Sequence, residues 1–198
     1  WSFGGLNATN KALEKARLDG IRYVCLLDHD DYWKPHHLVT LNKAFNDTKA
    51  VWLCTKTSVD PTSKYFFPRD MENIEQAEFL PAPGGCIKSS VSWDIRELPF
   101  KMRDTFEEIG KIYPADADLW QRMANHIVKN NLKSYYIGEH TCCHDTEGYI
   151  RKGGLVKNSH RNNLTFDKVD KLVTGIVVCY NTKDLIKRAY ESVRRFHP

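Results

Sequence analysis

A continuous apolar run from Tyr23 to Leu27 ends in the polar sequence Asp-His-Asp-Asp at positions 28–31. An uninterrupted run of this length is typical of a strand that is buried on both faces of a parallel or mixed sheet. Carboxylates that follow such a strand directly are held close together at its tip, where their repulsion requires a nearby positive charge. The run therefore indicates a sheet protein with an acidic loop, defined here as residues 28–31, at the carboxyl end of a central strand.

Helical and strand patterns alternate along the rest of the chain. Apolar residues at helical spacing predict helices over 7–18, 35–45 and 114–130. Apolar runs predict strands at 51–54, 86–87, 133–137 and 172–179, and a brief helix capped at Ser89 or Ser90 is expected through Val91, Trp93 and Ile95. This alternation predicts an α/β/α sandwich with a mixed, mainly parallel central sheet, present in incomplete form, whose ligands bind beyond the carboxyl ends of the strands.

The composition limits the class of protein. A chain of 198 residues that is 41% hydrophobic and 27% charged can bury a substantial core. The formal net charge of +4 is too small for a nucleic-acid-binding surface, and no apolar run approaches the roughly 18 residues of a membrane span. Six cysteines without C-x-x-C spacing are typical of a reducing compartment. We therefore expect a cytoplasmic protein, at most peripheral to a membrane, that does not bind nucleic acid.

Two interpretations of the acidic loop remain open from residue types alone. The carboxylates of Asp28, Asp30 and Asp31 suit a hard divalent cation, and Mg²⁺ or Mn²⁺ often keeps coordination sites for substrate phosphates. The same acids are also common in plain turns and before a following helix. The choice between a metal site and a turn therefore depends on the surrounding sequence.

Residues 5–38 resemble the donor-binding segment of family 2 glycosyltransferases, which have the GT-A fold. Asn10 ends an A-T-N sequence that is similar to the family's A-x-N pattern, and L-D-H-D-D-Y-W-K-P at 27–35 is similar to its L-D-x-D-D-x-W-x-P stretch. The resemblance implies that Asp30 ligates a Mn²⁺ or Mg²⁺ ion directly. It also implies that Asp28 contacts the ribose of a nucleotide sugar or the metal shell, and that Asn10 belongs to the donor site.

A second motif, A-D-A-D-L-W-Q-R-M at 115–123, resembles the family's E-D-x-D-L-W-x-R-L helix start, with Ala115 in place of the Glu. By this resemblance Asp116 is the catalytic base of an inverting enzyme. Backbone N–H groups and the helix dipole favour an ionised carboxylate in a first helical turn, where it can accept a proton. The alternative is that Asp116 and Asp118 only stabilise the start of the helix.

Two weaker signals match the family by position. Gly84 and Gly85 resemble its small-residue stretch, where donor and acceptor approach the backbone, although paired glycines more often mark a turn. His144 resembles a family His that completes the metal or diphosphate site, and its alternative is a surface His. A zinc site with Cys142 and Cys143 is disfavoured, because adjacent cysteines lack the usual C-x₂₋₄-C spacing.

The C-terminal sequence G-I-V-V-C-Y-N-T-K-D-L at 175–185 resembles a different part of the family, its opening strand and helix. We therefore expect residues 1–150 to form the later portion of a transferase domain, with the metal site and the base, and 151–171 to be a linker. Residues 172–198 are expected to be the opening unit of a second such domain or a permuted N-terminal element. The chain would then be a fragment of a tandem or permuted protein.

The resemblance implies a metal-dependent, inverting transfer from a nucleotide-diphosphate sugar to an acceptor hydroxyl. A UDP-sugar is the expected donor, and the acceptor is a glycan, a lipid-linked glycan or a protein. The alternative is a non-catalytic carbohydrate-binding or scaffold domain with the same fold. A D-x-D phosphohydrolase is disfavoured, because Tyr32 and Trp33 stand where that chemistry needs Thr or Ser.

Overall fold

The computed structural model of the chain describes residues 6–28, 31–60, 64–110, 114–145 and 173–178, the last of these by its backbone. The helices are α1 (Leu6–Leu18), α2 (His37–Thr48), α3 (Thr105–Ile109) and α4 (Ala115–Lys129). The strands are β1 (Tyr23–Asp28), β2 (Asp31–Trp33), β3 (Trp52–Val59), β4 (Phe66–Phe67), β5 (Gln76–Glu78), β6 (Val91–Asp94), β7 (Ser134–His144) and β8 (Val173–Val178). A short 3₁₀ helix at Lys88–Ser90, called the 88–90 turn below, precedes β6.

One sheet contains all the described strands in the order β2-β7-β3-β6-β1-β8, with β4 added to β3 and β5 added to β7. The pairs β1–β8 and β3–β7 are parallel, whereas the other five pairs are antiparallel. The prediction of a mixed sheet is confirmed. The expected predominance of parallel pairs is not found among the described strands. Strand β6 lies antiparallel between β1 and β3, and the short strands β2, β4 and β5 add further antiparallel pairs.

Strand β6 corrects two predictions. No strand forms at 86–87, and 91–94 is an extended strand where a helix was expected. Trp93 pairs with Val24 of β1 on one side and with Trp52 of β3 on the other. All four residues of β6 are buried, because β6 has a strand on each side and side chains packed over both faces. The period-two spacing of Val91 and Trp93 is a strand pattern.

The other predicted helices and strands agree with the structure in type but differ at their ends, whereas β2, β4, β5 and α3 were not predicted. Helix α2 begins at His37 because Pro35 lies in a turn closed by the His37 N–H and the Lys34 carbonyl, 3.0 Å apart. Strands β3 and β7 run further than their apolar stretches, to Val59 and His144. Their additional residues are largely polar, so the apolar pattern ends before the strands do. The extension of β7 carries His144 to the acidic loop.

The core has two parts, one on each face of the sheet. Alternate residues of β1 point to opposite sides: Leu26 packs among the residues covered by α1 and α4, and Leu27 packs among those covered by α2. In the first part, the Trp120 ring meets those of Trp52 and Trp93 edge to face at centroid distances of 6.3 and 6.1 Å. The result is the predicted α/β/α sandwich. Within the described ranges, none of the helices is long and apolar enough to cross a membrane.

Strand β8 lies parallel to β1 over six residues, from the pair Tyr23–Val173 to the pair Asp28–Val178. The predicted strand at 172–179 is therefore present, and its carboxyl end lies beside the start of the acidic loop. The linker at 151–171 and the helix after 179 lie outside the described residues. The division of the chain into two domains remains a prediction.

Candidate active site

The acidic loop connects two strands of the sheet, since β1 ends at Asp28 and β2 begins at Asp31. Both of these aspartates are described. His29 and Asp30 lie outside the described residues, so the ligand role of Asp30 remains a prediction. The loop stands at the carboxyl end of β1, where the sandwich was expected to bind its ligand.

Ser89, on the 88–90 turn, forms hydrogen bonds with Asp28 at the start of this loop and with Trp33 just after it. The backbone N–H of Asp28 donates to Ser89 Oγ at 2.9 Å, and the indole N–H of Trp33 donates to the Ser89 carbonyl at 2.6 Å. Ser89 is fully buried, so water does not compete for these bonds. The sequence suggested Ser89 only as a helix cap, and its contacts join residues 61 and 56 positions apart.

Lys88 brings a positive charge to the loop. Its Nζ lies 2.5 Å from Oδ1 of Asp28, and the two side chains are 12% and 29% exposed. This ion pair supplies the counter-charge that an acidic strand tip requires. Lys88 was not predicted as a site residue, because it belongs to neither of the motifs that resemble the family.

His144 pairs with Asp31 across strands β7 and β2. Nδ1 of His144 lies 2.7 Å from Oδ1 of Asp31, whose side chain is 1% exposed, whereas that of His144 is 35% exposed. The second carboxylate oxygen of Asp31, Oδ2, is buried and has no hydrogen-bond partner among the described atoms. An ionised oxygen in that position is costly unless a positive charge or a donor reaches it. A divalent cation at the loop fits this arrangement because it supplies such a charge.

The described residues do not form a complete metal site by themselves. Within 6–28, 31–60, 64–110 and 114–145, no three His, Cys, Asp or Glu side chains are gathered closely enough to hold an ion. Cys142 and Cys143 are consecutive on β7, so their side chains point to opposite faces of the sheet. Burial raises the pKa of both thiols, that of Cys143 to about 11, which opposes the thiolate a zinc site needs.

Asp116 lies in the first turn of α4, where its Oδ1 accepts the N–H of Ala117 at 2.8 Å. Burial raises the pKa of the Cys86 thiol to about 12, and the Asp116 charge adds to that rise. Asp116 therefore lies near the segment that leads into the 88–90 turn. Cys86 also packs in one core cluster with Trp120 of α4, so this segment connects the neighbourhood of α4 to the acidic loop.

Asp118 has a different environment from Asp116. Its carboxylate accepts hydrogen bonds from Arg103 at 2.9 and 2.5 Å and from Arg122 at 2.7 Å, and its side chain is 6% exposed. Burial alone would raise the pKa of Asp118, but the hydrogen bonds from both arginines outweigh it and lower that pKa. Asp118 is therefore a structural anion that fastens α4 to the segment before α3.

The other residues that were predicted to contact the nucleotide sugar have structural roles in the fold. The side-chain amide of Asn10 donates a hydrogen bond to the Met102 carbonyl at 2.7 Å and accepts one from the Met102 N–H at 2.8 Å. A contact with the nucleotide sugar would therefore have to displace one of these bonds. Gly84 has a φ of +68° in a turn closed by the Gly85 N–H and the Ala82 carbonyl, 3.0 Å apart. This geometry accounts for a glycine at 84 without a ligand. The donor roles of these residues remain predictions.

Most of the chain matches a known sequence family. The family model described as glycosyl transferase family 2 matches residues 1–153, which include every predicted site residue. The chain belongs to glycosyltransferase family 2. Its α/β sandwich with a mixed sheet is accordingly the GT-A fold, and Val173–Val178 lies beyond the matched region.

This family 2 chain is also similar to an uncharacterized glycosyltransferase of Acanthamoeba polyphaga mimivirus. The two are 32% identical over 157 residues, which is 76% of this chain. The aligned part spans 63% of the viral protein's length.

Proposed function

We propose that the chain transfers a sugar from a nucleotide-diphosphate donor to an acceptor hydroxyl with the help of a divalent cation at the acidic loop. The observation that supports this most is the meeting of two distant segments. The pairing of β7 with β2 brings His144 to Asp31 at one end of the loop, and Lys88 reaches Asp28 at the other. These contacts favour a binding site at the strand tip over an isolated turn.

Mn²⁺ or Mg²⁺ would be held by Asp30 and His144, with Asp28 at the ion or at the ribose. Asp31 orients the His144 imidazole through its Oδ1, an arrangement that is usual behind a histidine ligand. When bound, the cation would act as a Lewis acid on the leaving diphosphate. Asp28 and Asp30 thus provide the carboxylate oxygens that both ions prefer, and His144 adds one imidazole nitrogen.

Asp116 acts as the general base in this proposal. Its side chain stands in the first turn of α4 and is only partly buried, so an acceptor can reach it. Its carboxylate takes the proton of the acceptor hydroxyl while that oxygen forms a bond to the anomeric carbon. The bond from the anomeric carbon to the diphosphate breaks on the opposite side, so the configuration inverts.

The donor and acceptor classes follow from the family. A UDP-sugar is the expected donor, with Asn10, Gly84 and Gly85 as further contacts. The acceptor is a glycan, a lipid-linked glycan or a protein. A cytoplasmic location, with at most peripheral contact to a membrane, completes the proposal.

A panel of nucleotide sugars tests it. The full chain is incubated with each donor in Mn²⁺, Mg²⁺ or EDTA, and release of the nucleoside diphosphate is measured for the wild type, Asp30→Ala and Asp47→Asn. Asp47 is an exposed acid of α2 and serves as the control. We expect metal-dependent release that Asp30→Ala abolishes and Asp47→Asn preserves. Absence of both release and donor binding would favour a non-catalytic domain, and unchanged turnover by Asp30→Ala would refute the metal site.

A further inference from the structure

Lys88 places an ammonium group directly against the acidic loop. Its side chain is only 12% exposed, and its Nζ lies 2.5 Å from Oδ1 of Asp28. Charges that are sheltered from water interact more strongly with their neighbours than charges on the open surface. This lysine therefore contributes substantially to the electric potential at the tip of β1.

The main chain of Lys88 is held in place by the 88–90 turn. In the 88–90 turn, Ser90 Oγ donates to the Ile87 carbonyl at 2.7 Å, and the N–H of Val91 donates to the carbonyl of Lys88. The next residue, Ser89, bonds to both ends of the acidic loop. The main chain of Lys88 is thus held by several hydrogen bonds, and its location does not depend on the ion pair.

Structural stability alone is a weak reason for such a pair. Removing two charges from water costs free energy that their attraction only partly returns, so an apolar pair of similar volume often serves stability better. Lys88 also follows Cys86 by two residues, and Cys86 packs in one core cluster with Leu119 and Trp120 of α4. The ammonium therefore belongs to the segment that connects the acidic loop to the helix that carries Asp116.

We propose that Lys88 is a donor-binding residue whose ammonium contacts a phosphate group of a nucleoside diphosphate. This inference rests on the proposed function. The ammonium is a compact point charge that suits phosphate oxygens. It is already in place before the donor binds, so it stabilises the negative charge that develops on the leaving diphosphate without reorganisation.

A competing explanation makes Lys88 purely structural. In that case the ammonium only neutralises Asp28, and it is dispensable once the carboxylate is removed. A double-mutant cycle between the two positions separates the explanations, because it isolates the part of the Lys88 effect that does not pass through Asp28.

Calorimetric titration of the full chain with UDP and with GDP, in Mn²⁺ and in EDTA, provides the test. The variants are Lys88→Met, Lys88→Arg, Asp28→Asn and the Asp28→Asn/Lys88→Met double variant, with Lys129→Met on the exposed end of α4 as the control. We expect Lys88→Met to weaken binding of the better nucleotide about 10-fold to 100-fold, as for loss of a charged hydrogen bond. Lys88→Arg keeps the positive charge but changes its shape, so its affinity should lie between that of Lys88→Met and that of the wild type.

The same loss should persist in the Asp28→Asn background. Unchanged affinity in Lys88→Met, or a loss that disappears in that background, overturns the inference. Thermal unfolding of each variant shows whether it is folded. If the wild type binds neither nucleotide with Mn²⁺, the proposed function itself fails, which is a different result from equal binding by the wild type and Lys88→Met.

Discussion

Nδ1 of His144 lies 2.7 Å from Oδ1 of Asp31, and the two residues are 113 positions apart in the chain. The contact follows from strand pairing, since Asp31 and His144 are register partners of β2 and β7. One oxygen of a buried carboxylate thus fixes an imidazole, and the other has no partner among the described atoms. The orientation of His144 is set before any ligand arrives.

Asp31→Asn should weaken Mn²⁺ binding. The neutral amide keeps the shape of the side chain but gives up the charge that orients the imidazole and favours a cation. Changes of this kind commonly reduce metal affinity about 10-fold to 100-fold. Electron paramagnetic resonance of free Mn²⁺ measures the affinity without any substrate, and Asp47→Asn provides the matched control. Equal Mn²⁺ affinity for Asp31→Asn and the wild type would show that Asp31 does not support a metal ligand.

Asp116→Asn should reduce kcat by about 100-fold to 10,000-fold, the usual contribution of a general base. Asn retains an oxygen that can accept the N–H of Ala117, so the start of α4 should persist. The Kd for the nucleoside diphosphate and the melting temperature should therefore stay near their wild-type values. A kcat within about 3-fold of the wild type would remove Asp116 from the base role, since that factor is far below the expected range.

Asp118→Asn should show the opposite pattern. Loss of this carboxylate removes the charge that binds both Arg103 and Arg122, and the free energy of unfolding should fall by about 2 kcal/mol or more. The lowered pKa of Asp118 means that its stabilising contribution is present at neutral pH and is lost as the pH falls through the folded-state pKa. Urea unfolding at pH 7 and at pH 3 measures both effects. If the wild type and Asp118→Asn differ in free energy of unfolding by the same amount at both pH values, this account is contradicted.

Gly138→Ala should destabilise the sheet. A Cβ at this position would overlap the carbonyl oxygen of Ile74, and the Gly138 N–H donates to the Glu75 carbonyl at 2.7 Å. Because the clashing atoms belong to the backbone of Ile74, a side-chain rotation cannot relieve the clash. Overpacking of this kind typically lowers the free energy of unfolding by about 1 to 3 kcal/mol. Chemical denaturation compares the variant with Glu139→Ala, whose side chain is exposed. A Gly138→Ala variant as stable as Glu139→Ala would show that the chain at Ile74 can move away from β7 at little cost.

The buried His37 and the half-buried His140 predict a pH dependence of folding. Burial lowers the pKa of His37 to about 3, with a further contribution from His36. Burial and the nearby Lys34 lower the pKa of His140 to about 4. Between these values and the usual pKa of about 6.5, the unfolded chain binds more protons than the folded one, so stability falls as the pH drops through that range. Unfolding measured from pH 7.5 to 4.5 should show this slope, and His140→Gln should reduce it.

The parts of this molecule that were predictable from sequence are those with local patterns. The apolar run of β1 predicted a strand buried on both faces, and the helical spacing from Leu119 to Ile127 predicted α4. Strand β6 was missed because its four residues include buried polar Ser92 and Asp94, which break an apolar run. Lys88 and Ser89 were missed as site residues because their partners lie about 60 positions away, and no local pattern encodes such contacts.

The place of β8 beside β1 affects how shorter pieces of the protein would behave in solution. A piece that stops before residue 173 leaves the backbone N–H and carbonyl groups of Tyr23–Asp28 without the neighbour they have here. Strand β1 is apolar on both faces, so its uncovered edge would be a template for intermolecular pairing and aggregation. Poor solubility of such a truncated piece would then reflect an open sheet edge and would carry no information about the acidic loop.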